Sequence, residues 1–167
     1  VEGRDCLARP SADELRRAGT RQELIRDPDF VRARPILDDV EGFDAEFFDM
    51  SGPEVEVTDP SHRLFLECAW ESLESAAIVP GPRGPVIGVF GGCEGNYLST
   101  VLDLHREHAS SGSDLTKRLG NSLDFLTSRV SNRLDLTGPS FGVMAACATS
   151  LLAVELGSSG ERQIIEA

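Results

Sequence analysis

Four cysteines (Cys6, Cys68, Cys93 and Cys147) and three histidines (His62, His105 and His108) are the side chains best suited to nucleophilic or metal chemistry. No two of the cysteines lie close together, so the tight pair of a zinc knuckle is absent and no metal is implied. Cys147 stands apart from the other three. Ala145, Ala146 and Ala148 flank it, between a run that reads as a short strand, 140–145, and one that reads as a helix, 148–156. A thiol at a helix N-terminus faces unpaired backbone N–H groups and the positive end of the helix dipole, and both favour the thiolate. Such a cysteine can take an acyl group from an incoming thioester at little thermodynamic cost, since one thioester replaces another. Its own N–H can donate to the developing oxyanion. The same residues also fit a small side chain packed ahead of a core helix, and spacing alone leaves both readings open.

The remaining candidates read as structural. Cys68 falls on an apolar helix face with Leu64, Phe65, Ala69, Leu73 and Ala76, and is expected in the core. Cys93 follows an apolar run and is expected to pack, with a cavity wall as the other reading. His62 lies in the first turn of a helix and is expected to make structural hydrogen bonds. His105 and His108 sit in a polar stretch and are given no role.

The elements that must position Cys147 can be read coarsely. Ser11 followed three residues later by Glu14 is a capping-box pattern, opening a short helix over 11–18. The stretch 27–49 is irregular, and Phe30, Ile36, Leu37, Phe43, Phe47 and Phe48 are expected to pin it to the body. Asp59-Pro60 opens a longer helix, with Asp59 as N-cap and Pro60 as first helical residue. Pro80 to Pro85 punctuates the chain, and the apolar run Val86-Ile87-Gly88-Val89-Phe90 reads as a buried strand. Gly91-Gly92-Cys93-Glu94-Gly95 turns beyond it; this is no dinucleotide or phosphate-loop fingerprint. Ser110–Ser113 is a second loop. A helix is expected over 121–133, with Leu123, Leu126, Val130 and Leu134 on one side and Arg129 and Arg133 free to meet carboxylates.

Composition narrows the classes. The chain has 167 residues, 40% apolar and 26% charged, which describes a globular protein able to bury a core. A net charge of −12 argues against nucleic-acid and anionic-membrane partners. No apolar stretch is long enough to span a bilayer, and the N-terminus has no signal-peptide core. Scattered thiols fit a reduced compartment, so a cytoplasmic location is expected.

The segment Gly138-Pro139-Ser140-Phe141-Gly142-Val143-Met144-Ala145-Ala146-Cys147-Ala148-Thr149-Ser150-Leu151 strongly resembles the active-site segment of β-ketoacyl synthases, in particular the ketosynthase domains of modular polyketide synthases. Three further segments resemble the same family in the same order. They are 32–37 with 43–48, then Asp59-Pro60-Ser61-His62-Arg63-Leu64-Phe65-Leu66-Glu67, then 124–131 running on to Gly138-Pro139-Ser140. The resemblance implies a thiolase-like, layered α-β-α-β-α condensing-enzyme fold, incomplete in this chain. It implies that Cys147 takes the growing acyl chain from the phosphopantetheine arm of an acyl carrier protein. Attack by the carbanion of decarboxylated malonyl or methylmalonyl on a carrier protein would then give a β-ketoacyl thioester two backbone carbons longer. No cofactor would be bound directly. Expected partners are the carrier protein, adjacent polyketide synthase domains and a second copy, paired through strand 141–145 with Met144 near the contact. Arg129 or Arg133 would contribute a basic patch for the carrier.

The sequence also departs from the family. Thr-Ala before the cysteine is Ala145-Ala146 here, and Ser-Ser-Ser after it is Ala148-Thr149-Ser150, a loss of two hydroxyls. Ser61 stands where the family commonly has Gln, and Ser51-Gly52-Pro53-Glu54-Val55 replaces Ser-Pro-Arg-Glu-Ala. The family's two catalytic histidines belong to later segments, and none of the three histidines here lies in either motif. The expected organisation is therefore a ketosynthase portion over 1–156, lacking the opening strand, and an atypical tail over 157–167 that follows an omitted or deleted stretch. A catalytically inactive module that binds a carrier protein or dimerises is the alternative, and an acyltransferase or thiolase-like enzyme using the same cysteine is a third reading.

Overall fold

The computed structural model describes residues 7–37, 39–93 and 114–163. The chain divides into two compact units, Val1–Val40 and Glu41–Ala167. Cys6, His105, His108 and the 110–113 loop lie outside the described residues.

In the first unit, β1 (Leu7–Ala8) pairs antiparallel with β2 (Arg34–Pro35). Between them run α1 (Ala12–Arg17) and α2 (Gln22–Arg26), which bury Leu15 and Ile25. The capping box is present: the Glu14 N–H donates to Ser11 Oγ at 3.3 Å, and the Ser11 N–H donates to the Glu14 carboxylate at 2.7 Å. Two N–H groups that a free helix end would leave unpaired are satisfied locally. Ile36 and Leu37 do not pin anything: both are exposed. They follow β2, which is only two residues long and is itself exposed.

The second unit is built on α4. After α3 (Gly52–Glu56), the Asp59 carboxylate accepts from the Ser61 N–H at 2.9 Å, and Pro60 opens α4 (Pro60–Ser75), as its sequence predicts. The buried seam of α4 is His62, Leu66 and Leu73, with Phe65, Ala69 and Trp70 partly covered. Cys68 and Ala76 are exposed, which corrects the expected core face. Two residues advance a helix by about 200°, so once Leu66 points inward Cys68 must point out. Leu66 and Leu73 join Phe48, Met50, Val89, Val130 and Leu134 in one cluster. Phe43 stacks on Phe48 at 5.2 Å, and Phe47 meets Trp70 edge-on at 5.0 Å, so the later aromatic residues of the irregular stretch do anchor it.

Two strands carry the sheet of this unit. β3 (Val89–Gly91) lies parallel to β4 (Ser140–Gly142), with Val89 opposite Ser140 and Gly91 opposite Gly142. Hydrogen bonds extend the ladder past both ends, from Gly138 N–H to the Ile87 carbonyl and from Val143 N–H to the Gly91 carbonyl. The strand is shorter than expected: Val86 is exposed, and the regular strand starts only at Val89, with a single ladder bond reaching back to Ile87. Between the strands come α5 (Asp114–Asn121), a single 3-10 turn (Leu123–Phe125) and α6 (Leu126–Arg133). The expected helix over 121–133 is thus two elements. Asn121 ends the first, where its side-chain amide donates to the Val57 and Lys117 carbonyls, both at 2.7 Å, and pins this corner to the turn before α4.

Alternation along β3 sorts the helices into layers. Val89 faces the cluster shared by α4 and α6, and Gly91 lies against the Phe65 ring on the same side. Phe90 points the other way, toward Phe141 of β4 and toward α7 (Thr149–Gln163), whose Gly157 approaches its ring. Helices therefore flank both faces of a parallel pair, the arrangement that a buried parallel strand requires. α7 runs without interruption through Gly157–Gly160.

Candidate active site

Strand β4 leads directly to Cys147. Val143 is buried, and the chain then turns through Ala145 into a 3-10 turn (Ala146–Ala148) that feeds α7. Ala146 holds a left-handed φ of 47° immediately before the cysteine. That conformation crowds Cβ against the backbone and costs a non-glycine residue about 1–3 kcal/mol. It persists because its neighbours are tied. The Ala148 N–H donates to the Ala145 carbonyl at 3.0 Å, and the Thr149 hydroxyl accepts from the Ala145 N–H at 3.0 Å while donating to the Ala146 carbonyl at 2.8 Å. The result is a sharp strand-to-helix elbow with Cys147 at its tip, exposed to solvent. The small residues around it are what allow so tight a turn.

Gly92 supports the elbow from below. A β-carbon there would stand 2.0 Å from the Val143 carbonyl oxygen and 2.7 Å from Thr149 Cγ2. Only glycine lets the end of β3 come this close. Beside the elbow lies a small crevice of about 40 Å³, lined by Gly91, Gly92, Leu123, Gly142, Val143 and Met144 among others. Met144 is therefore at the crevice, and it is exposed.

The other sequence candidates fall elsewhere. Cys93 is half-buried just past β3; burial pushes its thiol up, the Asp59 charge adds to that, and a hydrogen bond with Ser61 opposes both. His62 is buried, yet neither ring nitrogen has a hydrogen-bond partner, which corrects the structural hydrogen bonding expected of it. Burial first, then the nearby Arg129 charge, lower its pKa to about 4, against a smaller opposing pull from Asp59. Arg129 and Arg133 do meet a carboxylate: both bind Glu54, at 2.7 and 2.9 Å. Burial alone would raise the Glu54 carboxyl, but these two guanidinium groups hold it below its ordinary range. Both arginines are largely covered, so they do not form the open basic patch expected for a carrier protein. Among the described residues no group of three His, Cys, Asp or Glu side chains could hold a metal ion, and no helix is long and apolar enough to cross a membrane.

The residue pattern points to Cys147 and the family resemblance to Met144, but neither singles out Gly92 or the fold-holding part of Thr149. Their signals are a second glycine at the end of an apolar run, and a hydroxyl two residues into the turn after the cysteine.

With this geometry in place, residues 1–164 match the model of the β-ketoacyl synthase N-terminal domain, and the chain belongs to that family. It is a ketosynthase segment homologous to those of modular polyketide synthases. It is 38% identical over 161 residues to a phenolphthiocerol/phthiocerol polyketide synthase protein of Mycobacterium tuberculosis, an alignment covering 92% of this chain and 11% of the relative. A pikromycin polyketide synthase component of Streptomyces venezuelae is 36% identical over 151 residues, covering 84% of this chain and 4% of the relative. Among solved structures, ketosynthase twelve of the bacillaene polyketide synthase in Bacillus amyloliquefaciens superposes with a TM-score of 0.68 at 27% identity, covering 95% of this chain and 28% of that one. An oxazolomycin ketosynthase domain of Streptomyces albus gives 0.67 at 29% identity, covering 96% and 28%. The α/β fold resembles the thiolase-like condensing-enzyme fold of these ketosynthases. The chain spans 11% of the first of the two synthase relatives and 28% of the ketosynthase-twelve chain.

Proposed function

We propose that Cys147 is the acyl-accepting nucleophile of a decarboxylating condensing enzyme in polyketide chain extension. The observation that carries this reading is the exposed thiol at the tip of a strained strand-to-helix elbow, in a chain of the β-ketoacyl synthase family. The Cys147 thiolate attacks the thioester carbonyl of an acyl chain on a carrier protein's phosphopantetheine arm. The Cys147 N–H donates to the oxyanion, and the arm leaves as a thiol. A malonyl or methylmalonyl group on the carrier then loses carbon dioxide. Its enolate attacks the Cys147 thioester, expels the cysteine thiolate and leaves a β-ketoacyl chain on the carrier. His62, buried in the core, is not placed to stabilise the enolate.

The partners follow from the same reading: an acyl carrier protein, adjacent synthase domains and a second copy meeting along Phe141 to Ala145. The exposure of Phe141 and Met144 supports the last of these. The complete protein, incubated with an acyl N-acetylcysteamine thioester and digested, is expected to carry the acyl group on the Cys147 peptide, and Cys147→Ala to abolish it. An unlabelled Cys147 peptide overturns the proposal. A second reading, a non-catalytic module that docks a carrier protein or dimerises, draws support from Ala145 and Ala148, which lack the family's hydroxyls. That reading expects carrier binding with no label on Cys147.

A further inference from the structure

The Thr149 hydroxyl spans the one left-handed residue ahead of Cys147. It accepts from the N–H of Ala145 on one side of Ala146 and donates to the carbonyl of Ala146 on the other, at 3.0 and 2.8 Å. Both bonds close over a residue whose φ of 47° an alanine does not adopt unaided. The Thr149 methyl does something different: it packs beneath the elbow, where a β-carbon on Gly92 would stand 2.7 Å from it. Hydroxyl and methyl thus have separable roles, one polar and one steric.

We propose that Thr149 is the positioning residue for Cys147, holding the Ala145–Ala146 peptide in the orientation that aims the thiol and its N–H at an incoming thioester. This rests on the reading of Cys147 as the nucleophile. Thr149 touches no substrate; it acts only through the peptide before the cysteine. Without the hydroxyl, that peptide rotates to relieve the left-handed φ and carries the Cys147 Cα–Cβ direction with it. The hydroxyls absent at Ala145 and Ala148 leave Thr149 as the side chain that performs this clamping among the described residues of the elbow.

Thr149→Val keeps the steric part and removes the hydroxyl; Thr149→Ser does the reverse. In the full chain, Thr149→Val is expected to lower the maximal rate of Cys147 acylation by an acyl N-acetylcysteamine thioester by about ten- to a hundredfold, with half-saturation unchanged. Iodoacetamide alkylation of Cys147 is expected to slow as well, and Thr149→Ser to restore both rates. A Thr149→Val variant that reacts like the parent, or a Thr149→Ser variant as slow as Val, overturns the proposal. If Thr149→Val does not fold, Thr149→Ser decides alone: parental rates support the clamp and a tenfold loss overturns it. A parent chain whose Cys147 takes no acyl group removes the nucleophile reading, while the alkylation rates of the two variants still judge the clamp, so the two failures are told apart.

Discussion

His62 places an imidazole where its charged form has no partner. Both ring nitrogens are buried and unpaired, with the Arg129 guanidinium near and only Asp59 opposing it. A folded pKa of about 4 against an ordinary value of 6.5 means that the unfolded chain binds the proton first. Stability is therefore full above pH 6.5 and falls as the pH drops through this window toward 4, by up to about 3 kcal/mol. His62→Leu is expected to flatten that part of a pH series of urea denaturations, leaving a decline at lower pH from Glu54, whose depressed carboxyl also loses its benefit on protonation. A His62→Leu series that falls as steeply as the parent would show that the imidazole does not carry the effect. At this scale the sequence is a partial guide. The place of Cys147 between strand and helix can be read because its small neighbours are local facts, while its proposed role rests on the family resemblance. The state of His62 cannot be read, because burial depends on Arg129 and the core cluster, which are distant in the chain.

Elements whose signals lie within a few residues are legible, and those set by distant contacts are not. Ser11 with Glu14 and Asp59 with Pro60 fix their own helix starts, because the cap and the N–H groups it satisfies are neighbours. The expected strands are over-long, and the helix expected over 121–133 is one element too few. How far β3 extends depends on β4, and where α5 stops depends on the Val57 carbonyl that Asn121 reaches. The same non-local logic makes Gly92 a sharp test of the elbow. Gly92→Ala forces a β-carbon into the Val143 carbonyl and the Thr149 methyl, both fixed by the turn. It is expected to cost about 1–3 kcal/mol in thermal unfolding and to slow Cys147 labelling at temperatures where the variant is still folded. Parental labelling in Gly92→Ala would mean that the end of β3 does not brace the cysteine.

On the scale of the molecule, the side chains left uncovered are informative. α7 exposes Leu151, Leu152, Val154 and Leu156 and buries Ala153, so it is apolar on several sides while packing through one. Several exposed apolar side chains on one helix mark a surface that other protein can cover, and Phe141 on β4 and Met144 just beyond it are exposed as well. Phe141→Lys with Met144→Lys in the complete protein is expected to shift sedimentation from dimer to monomer; an unchanged mass would exclude pairing through this strand. The parallel register of β3 and β4 has a consequence in time. During synthesis β3 leaves the ribosome about fifty residues before β4, a wait of several seconds at ordinary elongation rates. Throughout that interval the nascent chain has an open strand edge and no elbow. The Cys147 turn therefore takes its geometry only after β4 has emerged, and until then the edge of β3 that β4 will cover is open to wrong partners.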